Sequence, residues 1–167
     1  RAAMQWRVPR PARDEPVDIF GELRRAKKVL LIPNDRVGGL FLGAPIYKSV
    51  REHYAAAHIS LLTDERWEGL ARQIPFFDEV LTTSRESKVW RPAFGELVQN
   101  LRREAFDLAI CLGPDCSFQL AQLCRLCGAR LRVGFHRLGP QPFNLEIVRR
   151  TEDEYEAIVR GGLAASP

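Results

Sequence analysis

Apolar residues occur along the chain in two alternating patterns, short continuous runs and longer segments with helical spacing. The first run, K-V-L-L-I from Lys28 to Ile32, has no polar residue after its charged start. Such a run is typical of a strand that is buried on both faces of a sheet. Four similar runs follow it, so the pattern predicts strands at residues 28–33, 58–62, 78–82, 107–112 and 131–135.

Segments with apolar residues at helical spacing lie between these runs. The segment 92–104 is the clearest of them, because its four large apolar side chains share one helix face. Pro45 is expected in the first turn of a single helix over 40–54, where a proline is tolerated. The predicted helices cover residues 18–25, 40–54, 65–73, 92–104, 117–127 and 152–160.

The alternation of strands and helices predicts the fold class. It is α/β and Rossmann-like, with a parallel sheet of about five strands and helices on both faces. Ligands of such sheets bind beyond the carboxyl ends of the strands. Functional residues are therefore expected in the loops after the strands, at residues 33–39, 63–66, 83–91, 113–117 and 136–144.

The excess positive charge lies at the start of the chain. The 167 residues carry 25 basic and 21 acidic side chains, a net charge of +4, and residues 1–28 hold eight basic and four acidic ones. The rest of the chain is balanced, so the sequence predicts no basic face on the folded domain and no binding of nucleic acid. Residues 1–28 are instead a candidate docking segment for a protein partner or an anionic membrane surface.

The length predicts one domain. We expect a basic, proline-containing leader arm with a short helix at 1–27, a Rossmann-like domain at 28–160 and a frayed tail at 161–167. No window approaches about 18 uninterrupted apolar residues, and the first residues lack the apolar stretch of a signal peptide. The predicted location is cytoplasmic, with peripheral attachment to the inner face of the membrane as a further expectation.

The cysteines indicate packing rather than metal chemistry. Cys124 and Cys127 form a CxxC pair, but they lie in an apolar helical pattern, and Cys111 lies in an apolar run. No second CxxC or CxxH pair completes a set of four zinc ligands. The sequence therefore predicts no metal and no cofactor, and free thiols agree with a reducing compartment.

The loop after the first strand contains two adjacent glycines, Gly38 and Gly39. Glycine at a strand-to-helix turn lets the backbone approach a ligand closely. The spacing to Gly43 is not that of a dinucleotide-binding GxGxxG motif, and the Gly-Lys-Ser/Thr of a P-loop is absent from it. By itself this pattern favours a tight turn that needs small residues.

Four segments of the chain together match the pattern of a known enzyme family. They are Asp35-Arg-Val-Gly38 with the helix at Pro45, Ile74-Pro-Phe-Phe-Asp-Glu-Val80, Leu101-Arg-Arg-Glu-Ala-Phe-Asp-Leu-Ala-Ile110 and Cys127-Gly-Ala-Arg-Leu-Arg-Val-Gly-Phe135. In order and spacing, from residue 27 to residue 150, they resemble family 9 glycosyltransferases, the bacterial heptosyltransferases of lipopolysaccharide synthesis. No single segment is specific, and the resemblance depends on their combination.

The resemblance implies a GT-B enzyme with two Rossmann-like domains, of which this chain is the acceptor-binding half. The family transfers a sugar from a nucleotide-sugar to a glycan or lipopolysaccharide-type acceptor, with inversion and without a metal. The nucleotide-sugar donor would need a second domain or subunit. A base must take the proton of the acceptor hydroxyl, and Gly39 stands where the family has that aspartate. Asp35 is the remaining candidate for the base, with a role in satisfying turn amides as the alternative.

The resemblance also directs attention to acceptor contacts in the loops after the strands. Arginine forks suit the carboxylates and phosphates of such an acceptor, and a tryptophan ring suits a sugar face. Each charged candidate is alternatively a solvated surface charge. The candidates are Arg36, Gly38, Gly39, Arg66, Arg85, Lys88, Trp90, Arg91, Asp115, Ser117, His136 and Arg137.

Two other functions stay open. The loss of an aspartate at Gly39 suits a pseudoenzyme, a non-catalytic binding or assembly subunit that keeps the glycosyltransferase fold. An unrelated small α/β domain would show the same alternation of strands and helices.

Overall fold

Six strands form the centre of the computed structural model, which describes residues 18–33, 37–84, 89, 91–113, 117–135 and 142–147. The strands are β1 (Lys28–Ile32), β2 (His58–Asp64), β3 (Glu79–Thr83), β4 (Leu108–Cys111), β5 (Leu131–Phe135) and β6 (Leu145–Ile147). They lie in one sheet in the order β3-β2-β1-β4-β5-β6, and every neighbouring pair is parallel. This is the strand order of the doubly wound fold, so the predicted Rossmann-like class is confirmed.

Within the described ranges, six helices cover the sheet. They are α1 (Ile19–Arg25), α2 (Val37–Leu42), α3 (Ala44–His53), α4 (Glu68–Ala71), α5 (Pro92–Arg103) and α6 (Phe118–Leu126), with a 3-10 turn at Glu65–Trp67 before α4. Among the helices of the described ranges, none has the length and apolar character needed to span a membrane. The helix predicted at 152–160 lies outside the described residues.

The alternation of side chains along the strands divides the core into two layers. Leu30 and Ile32 of β1 pack with α5 and α6, whereas Val29 and Leu31 pack with α1, α2, α3 and α4. Both faces of β1 are therefore covered by helices, and its last four residues are buried. This burial accounts for the continuous apolar run in the sequence.

The single helix predicted over 40–54 is wrong, because two helices meet at Gly43. The first, α2, already begins at Val37, and the second, α3, has Pro45 in its first turn. Proline has no backbone N–H, so the helical hydrogen bonds of α2 cannot continue through it. The helix predicted over 65–73 is also shorter than expected and consists of the 3-10 turn and the single turn α4.

The sheet has a sixth strand, β6, which the hydrophobic pattern did not predict because it has only three residues. Asn144, directly before β6, accepts a hydrogen bond from the Arg132 N–H at 3.0 Å and donates its own N–H to the Arg132 carbonyl at 2.8 Å. Phe143 packs against Gly134 of β5, where an added Cβ would lie 2.4 Å from the ring. The Phe143 ring therefore occupies the space that a side chain at position 134 would need.

Two aspartates at the amino-terminal edge of the sheet fix the pairing of neighbouring strands. Asp107 Oδ2 accepts hydrogen bonds from the N–H groups of Lys27 at 2.8 Å and Lys28 at 3.0 Å. Asp78 Oδ2 accepts from the Ile59 N–H at 2.7 Å, and the Asp78 N–H donates to the Ile59 carbonyl at 2.9 Å. Each aspartate thus satisfies backbone groups of the adjacent strand just before its own strand begins.

Helix α1, within the predicted leader arm, packs against the sheet domain. Ile19 and Leu23 lie against the core, and the Leu23 carbonyl accepts a hydrogen bond from Tyr54 Oη at 2.9 Å. Asp18 caps the helix by accepting from the Gly21 N–H at 3.0 Å. Residues 18–27 therefore share the core of the domain, whereas residues 1–17 lie outside the described part of the chain.

We expect that the free energy of unfolding of Asp78→Asn falls less on acidification than that of the wild-type chain. Burial alone raises the pKa of Asp78, but the Ile59 N–H and the Arg51 guanidinium, 2.6 Å away, outweigh it and hold the pKa below its usual 3.8. The ionised carboxylate therefore stabilises the fold above the unfolded-state pKa, and this stabilisation is lost as the pH falls through the folded-state pKa. Urea unfolding at about pH 7 and about pH 3 measures the difference.

The matched control is Glu96→Gln, which removes an exposed carboxylate from α5. Asp78→Asn should lower the free energy of unfolding near neutral pH and lose less of it on acidification than the wild-type chain. A pH dependence equal to that of the wild type and of Glu96→Gln would contradict the role assigned to Asp78.

Candidate functional site

The carboxyl ends of β1 and β4 form the point at which the order of strands reverses. The helices that follow these two strands lie on opposite faces, since α2 packs in one core layer and α6 in the other. In doubly wound sheets this arrangement leaves a crevice that binds ligands. We call this region the switch-point edge, and it comprises Val37–Leu42, Glu65–Trp67, Arg91, Ser117 and Phe118.

The glycines of the predicted loop lie in helix α2 rather than in a tight turn. Gly38 is exposed, and a Cβ added there would meet no atom within 4 Å, so packing among the described residues does not require glycine. Gly39 is half-buried, and its carbonyl accepts hydrogen bonds from the Gly43 N–H at 3.1 Å and from Tyr47 Oη at 3.2 Å. The structure therefore places both glycines at the switch-point edge and holds the second by its carbonyl.

Apolar side chains at the switch-point edge were not among the predicted site residues. Phe41 and Leu42 of α2 are 55% and 83% exposed, and Phe118, the first residue of α6, is 59% exposed. The sequence carries no signal for them, because apolar residues within helical segments are normally assigned to the core. They supply the apolar component that ligand sites combine with a few polar groups.

The predicted candidate Arg66 is paired within its own turn. Asp64 Oδ1 accepts from Arg66 Nε at 2.7 Å and Oδ2 accepts from its Nη2 at 2.9 Å, a bidentate arrangement. The guanidinium also lies 5.5 Å from the centre of the Trp67 ring. The Trp67 indole N–H is buried and finds no hydrogen-bond acceptor among the described residues. The Arg66 guanidinium is therefore held in place within this turn by Asp64 and Trp67.

Ser117 and Arg91 occupy helix starts at the same edge. Ser117 Oγ accepts a hydrogen bond from the Leu120 N–H at 3.3 Å and so caps α6. Arg91 is exposed and occupies the N-cap position of α5, where its side chain makes no capping hydrogen bond. The structure thus shows a structural role for Ser117 and leaves the charge of Arg91 near the surface.

The remaining predicted site residues lie outside the described ranges of the chain. Asp35, the candidate base, lies outside the described residues, and its role stays a prediction. The same holds for the other candidates that follow the strands, which are Arg36, Arg85, Lys88, Trp90, Asp115, His136 and Arg137.

The described residues form neither a metal site nor an exposed redox pair of cysteines. Within them, no group of three or more His, Cys, Asp or Glu side chains is placed to hold a metal ion. Cys111, Cys124 and Cys127 are buried, and the Cys127 thiol donates to the Cys124 carbonyl at 3.1 Å. These thiols therefore pack in the core, as the apolar pattern around them predicted.

Several solved structures with a similar fold are glycosyltransferases. The E. coli ADP-heptose lipopolysaccharide heptosyltransferase II matches 76% of this chain and 36% of its own, with 23% identity and a TM-score of 0.57. A family 9 glycosyltransferase from Veillonella parvula matches over 80% and 40%, with 18% identity and a TM-score of 0.61. E. coli heptosyltransferase WaaC, solved with ADP-2-deoxy-2-fluoro heptose, matches over 83% and 49%, with 15% identity and a TM-score of 0.60. This chain has a heptosyltransferase-like fold.

The similarity to these solved structures is one of fold, and it covers only part of their length. The chain spans 36–49% of the length of these solved proteins, at 15–23% identity. No protein-family model and no curated protein matches it. The resemblance predicted from the four segments is therefore confirmed as a shared fold.

We expect Ser117→Ala to lower the free energy of unfolding by about 1 kcal/mol, because the Leu120 N–H loses its cap. Ser117→Asp retains a capping oxygen and should restore most of this loss. Urea unfolding of the two variants measures both values. Equal destabilisation by Ala and Asp would contradict the capping role and favour a role in ligand binding.

Proposed function

We propose that this chain is the acceptor-binding half of a heptosyltransferase-like glycosyltransferase. The observation that carries the proposal is the heptosyltransferase-like fold, combined with a switch-point edge that exposes both apolar and charged side chains. The proposed acceptor is a glycan or a lipopolysaccharide-type glycolipid. The nucleotide-sugar donor is assigned to a second domain or subunit.

The described residues suit a saccharide that carries acidic groups. Phe41 and Phe118 offer apolar surface to the C–H faces of sugar rings. Arg91, which is exposed at the start of α5, carries a charge of the sign that binds a carboxylate or phosphate. The same chemistry supports the contacts proposed for Arg36, Arg85, Lys88 and Arg137.

The proposed reaction is attack of an acceptor hydroxyl on the anomeric carbon of the nucleotide-sugar. The C–O bond to the new sugar forms, the bond to the nucleoside diphosphate breaks, and the configuration inverts. A base must remove the hydroxyl proton, and Asp35 is our candidate for it. Gly39 has no proton acceptor, which favours a second candidate function, a non-catalytic binding or assembly subunit with the same fold.

The acceptor role predicts that the 167-residue chain binds a saccharide at the switch-point edge. Isothermal titration with the phosphorylated core saccharide released from lipopolysaccharide should show binding, and a neutral maltooligosaccharide should bind much more weakly. Phe118→Ala should reduce the affinity for the core saccharide roughly three- to tenfold through loss of ring contact. The matched control is Phe20→Ala, which removes an exposed phenylalanine from α1 and should leave the affinity unchanged.

Absence of core-saccharide binding at millimolar concentration would overturn the acceptor role. Binding of ADP-heptose by the same chain would instead assign the donor half to it. Equal effects of Phe118→Ala and Phe20→Ala would place the saccharide outside the switch-point edge.

Gly39→Asp should separate the two candidate functions. When this chain is combined with the domain or subunit that supplies the donor site, release of ADP from ADP-heptose in the presence of a lipopolysaccharide acceptor measures transfer. If the missing base limits transfer, Gly39→Asp raises turnover by roughly 10²–10⁴-fold, the usual contribution of a general base. Gly38→Asp adds the same carboxylate one residue away and should not raise it. No gain from Gly39→Asp would show that the base at this position does not limit transfer and would favour Asp35 or a non-catalytic role.

A further inference from the structure

Tyr47 is a fully buried side chain that joins α3 to α2. Its hydroxyl donates to the Gly39 carbonyl at 3.2 Å, and its ring contacts Phe77 edge-on, with ring centres 5.0 Å apart. Burial raises the pKa of Tyr47 to about 12. The hydroxyl therefore remains protonated, and can donate this hydrogen bond, at every physiological pH.

Three hydrogen bonds connect the end of α2 to the start of α3 in a closed ring. The Gly43 N–H donates to the Gly39 carbonyl at 3.1 Å, and the Tyr47 N–H donates to the Gly43 carbonyl at 2.9 Å. The Tyr47 hydroxyl closes the ring by donating to the Gly39 carbonyl. A helix as short as α2 is not stable by itself, so its orientation depends on these bonds and on the burial of Leu40.

Gly43 shows how closely the Tyr47 ring lies against this junction. A Cβ added at Gly43 would lie 2.4 Å from Tyr47 Cζ and Oη, closer than any real contact. The side chain of any other residue would push the ring away from the Gly39 carbonyl. The glycine and the tyrosine are therefore a matched pair, which sequence reasoning missed because Tyr47 occupies an ordinary apolar position of a helix.

We propose that Tyr47 is a positioning residue of the switch-point edge: its hydroxyl holds the Gly39 carbonyl and so sets how α2 presents Gly38 and Phe41 to an acceptor. The identity of the ligand rests on the proposed function. The hydrogen bond and its effect on α2 do not, since both are properties of the free chain.

The chain offers a matched pair of tyrosine variants to test this role. Tyr47→Phe removes the bond to Gly39, and Tyr54→Phe removes a similar bond from a tyrosine hydroxyl to the Leu23 carbonyl at 2.9 Å. Hydrogen exchange of the α2 amides should be roughly tenfold faster in Tyr47→Phe than in Tyr54→Phe at matched stability. Equal exchange of α2 in the two variants would overturn the proposal.

Titration with the lipopolysaccharide core saccharide tests the consequence for binding. Tyr47→Phe should weaken the affinity about tenfold, whereas Tyr54→Phe should leave it unchanged. Gly43→Ala, which displaces the ring but keeps the hydroxyl, should reproduce the effect of Tyr47→Phe on both exchange and affinity.

The outcomes separate the two proposals. Faster exchange of α2 with unchanged saccharide affinity in Tyr47→Phe would overturn the positioning role. Absence of binding by the wild-type chain would overturn the acceptor function, and with it the positioning of an acceptor. In that case faster α2 exchange would still support the bond from Tyr47 as the interaction that orders α2.

Discussion

The pairing of β1 with β2 and β4 is the interaction on which the rest of the structure depends. Both neighbours are parallel to β1, so no hairpin turn sets their register. At the amino-terminal edge, Asp107 accepts the Lys28 N–H and so aligns β4 with β1, and the His58 N–H donates to the Lys27 carbonyl at 2.8 Å between β2 and β1. Asp78 aligns β3 with β2 in the same way, by accepting the Ile59 N–H. With the strands aligned there, their carboxyl ends meet at the opposite edge and form the switch-point edge.

These aspartates also explain the resemblance to heptosyltransferases in physical terms. Asp78 and Asp107 belong to the segments that match the family, and so does Gly134, which makes room for Phe143. All three residues act in strand pairing or in packing, and none of them lies at the switch-point edge. The three segments that contain these residues therefore report the shared fold, whereas the proposals about function depend on the first segment, which contains Asp35 and Gly38, and on residues outside the four segments.

Different interactions order the amino-terminal and the carboxyl-terminal edge of the sheet. Carboxylate and amide side chains satisfy backbone groups at the amino-terminal edge, including Asn144 before β6. At the carboxyl-terminal edge the short helix α2 depends on one buried hydroxyl, that of Tyr47, and on the space left by Gly43. The proposed binding surface can therefore change with a single substitution while the sheet stays intact.

The sequence alone determined the fold class. A strand such as β1, which has helices on both faces, must be a continuous apolar run, and the helices that follow the strands must be amphipathic. Both patterns are visible in the sequence. It also placed Gly38 and Gly39 after β1. Only the tertiary structure showed the break at Gly43, the strand β6 and the exposure of Phe41, Leu42 and Phe118. The helix break, the sixth strand and the exposed side chains all depend on contacts with other elements, and the sequence around these residues does not differ from that of an ordinary helix or loop. Periodicity reports which residues are apolar, but the neighbouring elements decide which of them are covered.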